Sequence, residues 1–301
     1  MTAAEAFHPD LRGVARWLPR AAVGARTLGA VRGLTRLADR AASKDVVVEV
    51  IGPIAVRVHR PPVGEGPRPA LLWIHGGGYV LGSAAQDDAL CRHVAEQLGI
   101  VVAAVDYRLA PEHAFPVPLH DCYDALAWLA GQSDVDPAHL AVGGGSAGGG
   151  LAAGLTLLAR ERAEIHLALQ LLSYPMLDDR TAVRTDIDER NFRLWNNKAN
   201  RFGWRAYTGH PPGSVEIGGL AAPARSDDLS DLPPAWIGVG TVDLFCDEDR
   251  AYADRLRAAG VPCELHVVPG AFHGFDSIRP KTGVAQEFRA AQVAALGAAL
   301  L

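Results

Sequence analysis

A serine enclosed by glycines is the strongest chemical signal in this sequence. Ser146 stands in the run Gly-Gly-Ser-Ala-Gly at 144–148, between a short apolar strand at 140–142 and a helical segment at 151–160. A tight strand-to-helix turn of this kind forces strained backbone angles on the serine and leaves no room for side chains at the first and last glycine. It exposes the hydroxyl at a helix N-terminus, where unpaired N–H groups favour negative charge. The pattern predicts that Ser146 is a nucleophile.

The same glycines allow two other interpretations. The run 143–148 also fits G-x-G-x-x-G, the turn that binds dinucleotides, and glycine-rich runs occur in ordinary loops. A dinucleotide site requires an acidic residue about 20 positions on, at the end of the next strand. That strand, at 167–172, is followed by Ser-Tyr-Pro. A nicotinamide-dependent oxidoreductase is therefore disfavoured, and the serine must be judged by its partners.

The partners that a nucleophilic serine needs are a base that removes its proton and an acid that orients the base. Asp243 follows the predicted strand 235–239, and His273 lies in a glycine-bounded loop after the predicted strand 263–268. The carboxyl ends of parallel strands meet at one edge of a sheet, which is also where the turn presents the serine. The sequence therefore predicts a triad of Ser146, Asp243 and His273.

Other residues compete for the acid and base roles. Asp247, Glu248 and Asp249 fall at the start of a predicted helix, where acidic side chains commonly complement the helix dipole. His266 lies within a strand, so its side chain points at a face of the sheet. We interpret these four residues as structural.

A second glycine run provides the remaining part of the site. The sequence His-Gly-Gly-Gly at 75–78 follows the apolar strand 70–74, so bare backbone N–H groups can face a cavity there. The N–H groups of Gly77, Gly78 and Ala147 are predicted to form an oxyanion hole. A flexible loop is the alternative interpretation of this run.

The elements that must position these residues alternate along most of the chain. An antiparallel pair is predicted at 46–50 and 54–58, and predicted strands alternate with predicted helices after it. The strands are at 70–74, 100–105, 140–142, 167–172, 235–239 and 263–268, and the helices are at 89–98, 119–131, 151–160, 247–259 and 284–300. This order predicts an α/β protein with a mostly parallel sheet and helices on both faces.

Two segments fall outside this alternation. Residues 1–44 have apolar faces of helical period and many arginines, which favours solvated helices packed over the body of the protein rather than a membrane-surface helix. Residues 178–231 lack a clear strand and are interpreted as an insertion that closes over the site.

Composition sets limits on partners and location. The chain has 301 residues, 49% hydrophobic and 21% charged, and its formal net charge of −5 disfavours nucleic acid as a partner. Four well-separated cysteines without a C-x-x-C pair favour free thiols in a reducing, cytoplasmic compartment. No secretory signal, spanning helix or metal-ligand spacing is found. We expect no metal, no cofactor and no membrane contact, and a homodimer is one assembly that the sequence allows.

Taken together, the motifs resemble the hormone-sensitive-lipase-like branch of the α/β-hydrolases, the carboxylesterases with an HGGG motif. The residues that carry the resemblance are His75-Gly-Gly-Gly-Tyr79, Asp106-Tyr-Arg-Leu-Ala-Pro-Glu-His113, Gly144-Gly-Ser-Ala-Gly148, Asp243 with Asp247-Glu248, and His273-Gly-Phe275. The resemblance implies an α/β-hydrolase fold, with N-terminal cap helices at 1–44 and a catalytic domain at 45–301 that contains a cap insertion at about 178–231.

The resemblance also implies roles and an activity. Ser146 would be the nucleophile, His273 the base and Asp243 its orienting acid, with Gly77, Gly78 and Ala147 as oxyanion donors. The protein would be a cofactor-free serine carboxylesterase acting on small esters with short or medium acyl chains. An amide hydrolase or acyltransferase could use the same residues, and a non-catalytic ligand-binding protein could share the scaffold.

Two positions depart from the family pattern. Gly145 stands where the family usually has an acidic residue before the serine, and Leu244 stands where a proline often follows the acid. Asp106 and Arg108 belong to the resemblance, and we interpret them as braces of the oxyanion loop. Five aromatic residues are candidates for either the acyl pocket or ordinary core packing: Tyr79, Trp195, Phe202, Trp204 and Phe275.

Overall fold

One eight-stranded sheet forms the centre of the protein. The computed structural model describes residues 6–20, 23–39, 45–62 and 66–301, so parts of the predicted 1–44 helices lie outside the described residues. The strands are β1 Val47–Ile51, β2 Ile54–His59, β3 Arg68–Ile74, β4 Val101–Asp106, β5 Val135–Gly145, β6 Leu169–Ser173, β7 Ala235–Val242 and β8 Cys263–Phe272. They are hydrogen-bonded in the order β1-β2-β4-β3-β5-β6-β7-β8. Strands β3 to β8 run parallel, and β2 is antiparallel to both of its neighbours.

Helices flank this sheet, as the alternation predicted. In the described residues they are α1 Arg12–Ala15, α2 Leu28–Asp39, α3 Asp88–Leu98, α4 Val117–Ala130, α5 Ala147–Arg162, α6 Asn197–Thr208, α7 Cys246–Ala258, α8 Phe275–Ile278 and α9 Gly283–Leu300. Helices α4 and α5 pack together, as do α3 and α9. None of the described helices combines the length and apolar character that crossing a membrane would require.

The middle strands are buried on both faces, which explains their continuous apolar sequences. Residues 70–74 of β3 and 101–105 of β4 are all buried. The predicted α/β fold is confirmed, with strands that extend further than the apolar runs at several carboxyl ends. Those ends deliver the glycines and polar residues that follow β3, β5, β7 and β8.

The beginning of the described chain is attached to the last strand of the sheet. The backbone N–H of His8 donates to the carbonyl of Gly270 in β8 at 2.9 Å. The ring of Phe7 meets the ring of Phe272 edge-on, with centroids 6.3 Å apart. This short segment therefore covers part of the free edge of β8 immediately before His273.

Helix α2 packs over the body along only part of its length. Leu28 and Val31 are partly buried against the core, whereas the side chains of Leu34 and Leu37, on the same predicted face, are largely exposed. Arg32 is held inward, because its Nε donates to the carbonyl of Val80 at 2.7 Å. The structure thus shows packing over the body of the protein for part of this helix, with Arg32 turned inward rather than towards solvent.

The insertion at 178–231 contains short 3-10 helices and one α-helix, α6, with no strand among its described residues. Tyr207 of α6 stacks on Tyr79 with ring centroids 3.9 Å apart. The fully buried carboxylate of Asp179 ties the two ends of the insertion together, since it binds Arg225 at 2.5 and 2.9 Å and accepts the N–H of Gly213. A role as a cap remains a prediction.

We predict that Asp179→Asn destabilises the protein substantially. The substitution leaves the largely buried Arg225 guanidinium without its counter-charge, and breaking a buried ion pair in this way typically costs about 3 to 5 kcal/mol. The midpoint of thermal unfolding should fall by about 6 °C or more. Asp228→Asn is the matched control, because Asp228 is exposed and lies 3.6 Å from Arg160. Equal midpoints for the two variants would contradict a structural role for the buried pair.

Candidate active site

Ser146 occupies the strained turn between β5 and α5 that the sequence predicted. Its backbone angles are φ 57° and ψ −121°, a region that residues with side chains rarely adopt. Backbone hydrogen bonds secure this conformation, since the Ser146 N–H donates to Ser173 and its carbonyl accepts the N–H groups of Gly150 and Met176. The turn directs the serine side chain out of the sheet at the start of α5.

The glycines around the serine are required by close backbone contacts. A Cβ on Gly148 would lie 2.0 Å from the carbonyl oxygen of Ile74, and one on Gly144 would lie 2.4 Å from the carbonyl oxygen of Gly148. Gly145 is different, because the nearest atom to an added Cβ is Cε2 of Tyr174 at 3.6 Å. The predicted steric demand is confirmed for the first and last glycine, and the position that departs from the family pattern has room for a side chain.

Asp243, His273 and Ser146 form one continuous hydrogen-bonded chain. His273 Nε2 lies 2.9 Å from Ser146 Oγ, and His273 Nδ1 lies 2.8 Å from Asp243 Oδ2. All three side chains are buried. Asp243 is the first residue after β7 and His273 the first after β8, so the carboxyl ends of adjacent strands bring them together.

Neighbouring groups fix the orientation of this chain. The second oxygen of Asp243, Oδ1, accepts the backbone N–H of Phe245 at 3.0 Å. The rings of Tyr174 and Phe245 both meet the His273 imidazole edge-on, with centroids 4.9 and 5.3 Å away. Such an arrangement can move a proton from the serine hydroxyl to the imidazole, because the buried carboxylate stabilises the resulting imidazolium.

The glycine loop at 76–78 lies directly against the serine. A Cβ on Gly76 would be 3.3 Å from Cβ of Ser146, which shows how closely the two segments approach. Gly77 and Gly78 have positive φ angles of 130° and 59°. In the described part of the chain, neither of their N–H groups donates to a protein acceptor. The Ala147 N–H belongs to the first turn of α5, where helical geometry provides no partner.

His75 and its neighbours hold this loop in place. The buried His75 Nδ1 lies 2.8 Å from the carbonyl oxygen of Gly76, and burial lowers the pKa of the imidazole, which favours its neutral form. Tyr107 stacks on the ring at 4.3 Å and donates its hydroxyl to the His75 carbonyl. Asp106 Oδ1 lies 3.8 Å from His75 Nε2 and accepts the N–H of Ala84. Asp106 thus contacts the base of the loop, as interpreted from the sequence.

Arg108 does not share that position. Its guanidinium pairs with the buried carboxylate of Asp121 in α4, at 2.7 Å between Nη2 and Oδ1, and the Arg108 backbone N–H donates to the same carboxylate. The interpretation of Arg108 as a brace of the oxyanion loop is therefore wrong. It fastens the segment after β4 to α4 instead.

The three acids at the start of α7 also divide into different roles. Asp247 is exposed and pairs with Arg184 at 3.0 Å. Glu248 is buried and accepts the backbone N–H groups of Leu177 and Asp178, while the carboxylate of the fully buried Asp249 has no hydrogen-bond partner among the described residues. Burial raises the pKa of both buried acids. Of the three acids, only Asp247 lies at the surface and complements the helix dipole as interpreted from the sequence, because the other two face inward.

A cavity of about 270 Å³ opens beside the serine. Its walls are mostly glycine and apolar or aromatic side chains, and of the five aromatic candidates only Trp195 contributes to them. Tyr79 and Trp204 instead pack against each other, with ring centroids 5.3 Å apart. Sequence reasoning missed the polar wall residues, which come from a 3-10 helix before α3, the end of β6, α8 and α9: Gln86, Asp87, Ser173, Asp276, Ser277 and Gln292.

Comparison with known proteins agrees with this architecture. Residues 71–277 match the family described as alpha/beta hydrolase fold. Esterase LipI of Mycobacterium tuberculosis is 35% identical over 234 residues, which cover 74% of this chain and 71% of that protein. Ethyl acetate hydrolase of Pseudomonas putida is 36% identical over 233 residues, with 74% and 71% coverage. The solved structure of a bacterial heroin esterase superposes with a TM-score of 0.89 at 36% identity, and both chains are covered completely.

The chain belongs to the α/β-hydrolase family, and within it to the hormone-sensitive-lipase-like carboxylesterases. The resemblance inferred from the motifs is thereby confirmed.

We predict opposite outcomes for alanine at two glycines of the turn. Gly148→Ala should prevent folding or lower the free energy of unfolding by at least about 3 kcal/mol, because its Cβ would overlap the Ile74 carbonyl. Gly145→Ala is the matched control and should remain within about 1 kcal/mol of the wild type, since its Cβ has space. Chemical denaturation measures both. Equal stability of the two variants would contradict the steric account of the turn.

Proposed function

We propose that this protein is a serine carboxylesterase in which Ser146 is the nucleophile, His273 the base and Asp243 the acid that orients it. The observation that carries the proposal is the continuous chain of hydrogen bonds at 2.9 and 2.8 Å through the imidazole. The esterase names of its relatives support the same chemistry.

The first half of the reaction forms an acyl-enzyme. Ser146 Oγ attacks the ester carbonyl while His273 Nε2 takes the hydroxyl proton, and Asp243 stabilises the imidazolium through Nδ1–H. The N–H groups of Gly77, Gly78 and Ala147 would hold the negative oxygen of the tetrahedral intermediate. Loss of one such donor typically costs about 2.7 to 4 kcal/mol of barrier stabilisation. Collapse of the intermediate breaks the ester C–O bond, and the imidazolium returns its proton to the leaving alcohol.

The second half releases the acid. Water attacks the acyl-enzyme while His273 Nε2 accepts one of its protons, and the new tetrahedral intermediate uses the same backbone donors. Its collapse expels Ser146 Oγ, which recovers the proton from the imidazolium. Each step therefore uses groups already within hydrogen-bond distance, and the proton balance closes without a cofactor.

The cavity supports short to medium acyl chains as the substrate class. Its volume of about 270 Å³ lies below the range of about 300 to 1,000 Å³ that is usual for drug-sized ligands. Residues of 178–231 contribute to its wall through Leu194 and Trp195, in keeping with the cap role proposed for that insertion. The partner is then a small-molecule ester.

We further propose a cytoplasmic location, supported by four cysteines that are all free thiols.

The test is hydrolysis of p-nitrophenyl esters from acetate to laurate. We expect Ser146→Ala to lower kcat by about 10⁴-fold or more, because removal of a triad nucleophile abolishes covalent catalysis. A fluorophosphonate probe should label the wild type and fail to label this variant. Ser133→Ala, at an exposed serine in the loop after α4, serves as the control and should behave as the wild type in both assays.

Other outcomes would point to the alternative functions. Faster turnover of a p-nitroanilide than of the matched p-nitrophenyl ester would favour an amide hydrolase, and transfer of the acyl group to an added alcohol in preference to water would favour an acyltransferase. Absence of labelling in the folded wild type would favour a ligand-binding protein. Retention of full ester turnover in Ser146→Ala would refute the proposed nucleophile.

A further inference from the structure

The cavity beside Ser146 combines apolar walls with carboxylates that the hydrolytic mechanism does not use. Asp87 and Asp276 both line it, and the two acids influence each other electrostatically. None of the described residues that line the cavity is a lysine or an arginine. The cavity therefore presents negative charge to whatever part of the substrate enters it.

The two carboxylates differ in how far the protein balances their charge. Asp276 is buried, accepts the Tyr174 hydroxyl at 2.8 Å and is stabilised by the nearby positive charge of Arg289 in α9. Asp87 is half-buried; it accepts a hydrogen bond of 2.9 Å from the indole N–H of Trp73 and a second one from the Gln86 side chain, both of them uncharged donors. Burial raises the pKa of Asp87 to about 6, with Asp276 contributing in the same direction. Asp87 is thus the less compensated of the two charges.

A buried amide adds a further acceptor to this wall. Gln292 of α9 lines the cavity and is 1% exposed, and its Nε2 donates to Ser173 Oγ at 2.6 Å. Its Oε1 atom has no hydrogen-bond partner in the described part of the chain. An unpaired buried acceptor is costly, so a donor or a positive charge supplied by a ligand would be stabilised here.

The aromatic walls favour the same kind of ligand. Trp73, Tyr174 and Trp195 line the cavity together with Asp87, and aromatic faces attract ammonium groups, most strongly where water is excluded. Gly145 also lines the cavity and has no side chain to fill the space between Ser146 and the ring of Tyr174. The serine and the acceptor wall therefore share one open space.

We propose that the cavity selects esters that carry a positively charged ammonium group, with Asp87 as the residue that pairs with the cation and the aromatic walls enclosing it. This specificity rests on the esterase function proposed above. The ammonium group can belong to the alcohol or to the acyl part of the ester, and the two sources are separated by the choice of substrates.

The experiment compares each cationic ester with its neutral carbon isostere. Acetylcholine against 3,3-dimethylbutyl acetate tests a charge on the alcohol, and p-nitrophenyl 4-(trimethylammonio)butanoate against p-nitrophenyl 5,5-dimethylhexanoate tests a charge on the acyl part. We expect kcat/KM for the cationic member of at least one pair to exceed that of its isostere by about tenfold. In Asp87→Asn this ratio should fall towards one. The ratio is independent of any general change in activity, because the catalytic groups act on both members of a pair.

Asp254→Asn is the matched control. Asp254 is an exposed acid of α7 that pairs with Arg257, so its substitution removes one negative charge without touching the cavity and should leave the ratio unchanged.

A second measurement uses the wild-type protein alone. Phenyltrimethylammonium should inhibit wild-type hydrolysis of p-nitrophenyl acetate competitively and more strongly than tert-butylbenzene.

The ratio should also depend on pH. Trp73 and Gln86 donate hydrogen bonds to Asp87, and the titratable groups that interact with its carboxylate include Asp88, Cys91, Tyr107, Tyr174 and Asp276. Protonation of Asp87 as the pH falls through about 6 would remove its charge. The ratio of kcat/KM for the cationic ester to kcat/KM for its neutral isostere should therefore decline below that pH, because protonation of a group that acts on both esters cancels in the ratio.

Equal or lower kcat/KM for the cationic member in both pairs would overturn the proposal, as would an undiminished preference in Asp87→Asn. Neutral esters that are hydrolysed without any cation preference would leave the esterase function standing and reject this specificity alone. Absence of turnover with every ester would instead reject the esterase function.

Discussion

The contact between the start of α5 and the end of β3 is the constraint on which the site depends. Gly148 approaches the carbonyl of Ile74 so closely that no side chain fits between them. Since His75 and the glycine loop at 76–78 follow Ile74 directly, this contact also sets the distance from the loop to Ser146. The parallel pairing of β3 with β5, which joins Ile74 to Gly144, fixes the same two segments from within the sheet. The strain at Ser146 is tolerated because the surrounding backbone leaves it no alternative.

A second register places the other two side chains that we propose as members of a triad. Val242 of β7 pairs with Phe272 of β8, so that Asp243 and His273 leave the sheet side by side. The pairing is irregular between Gly240 and Val242, where a Cβ on Gly240 would lie 2.1 Å from the carbonyl oxygen of Ala271. Two strand pairings, β3 with β5 and β7 with β8, therefore determine the relative positions of the residues in the proposed active site.

The sequence allowed the sheet and the turn at Ser146 to be predicted, and it singled out three side chains that the structure brings within hydrogen-bond distance, because each has a local cause. Apolar runs mark buried strands, glycines mark close backbone contacts, and polar residues after strands mark the reactive edge. The carboxyl ends of β5 and β7 were predicted too short, since glycines 143–145 and 240 give no apolar signal.

The sequence could not show which acidic side chains face inward. Glu248 and Asp249 share a helix start with the exposed Asp247, and only tertiary packing decides which of them faces the core. Asp87 and Asp276 line one cavity from short helices that are distant in the sequence. Arg108 was misjudged for the same reason, because the carboxylate that binds its guanidinium lies in α4.

The edge strand that carries His273 is completed by the opposite end of the chain. His8 adds its hydrogen bond to Gly270, and Phe7 packs on Phe272, immediately before the imidazole. This closure joins residues far apart in the sequence, and such contacts form late because the entropy of bringing the two ends together must first be overcome. During refolding, recovery of activity should therefore lag behind recovery of helix and sheet, so that turnover reports the last stage of assembly.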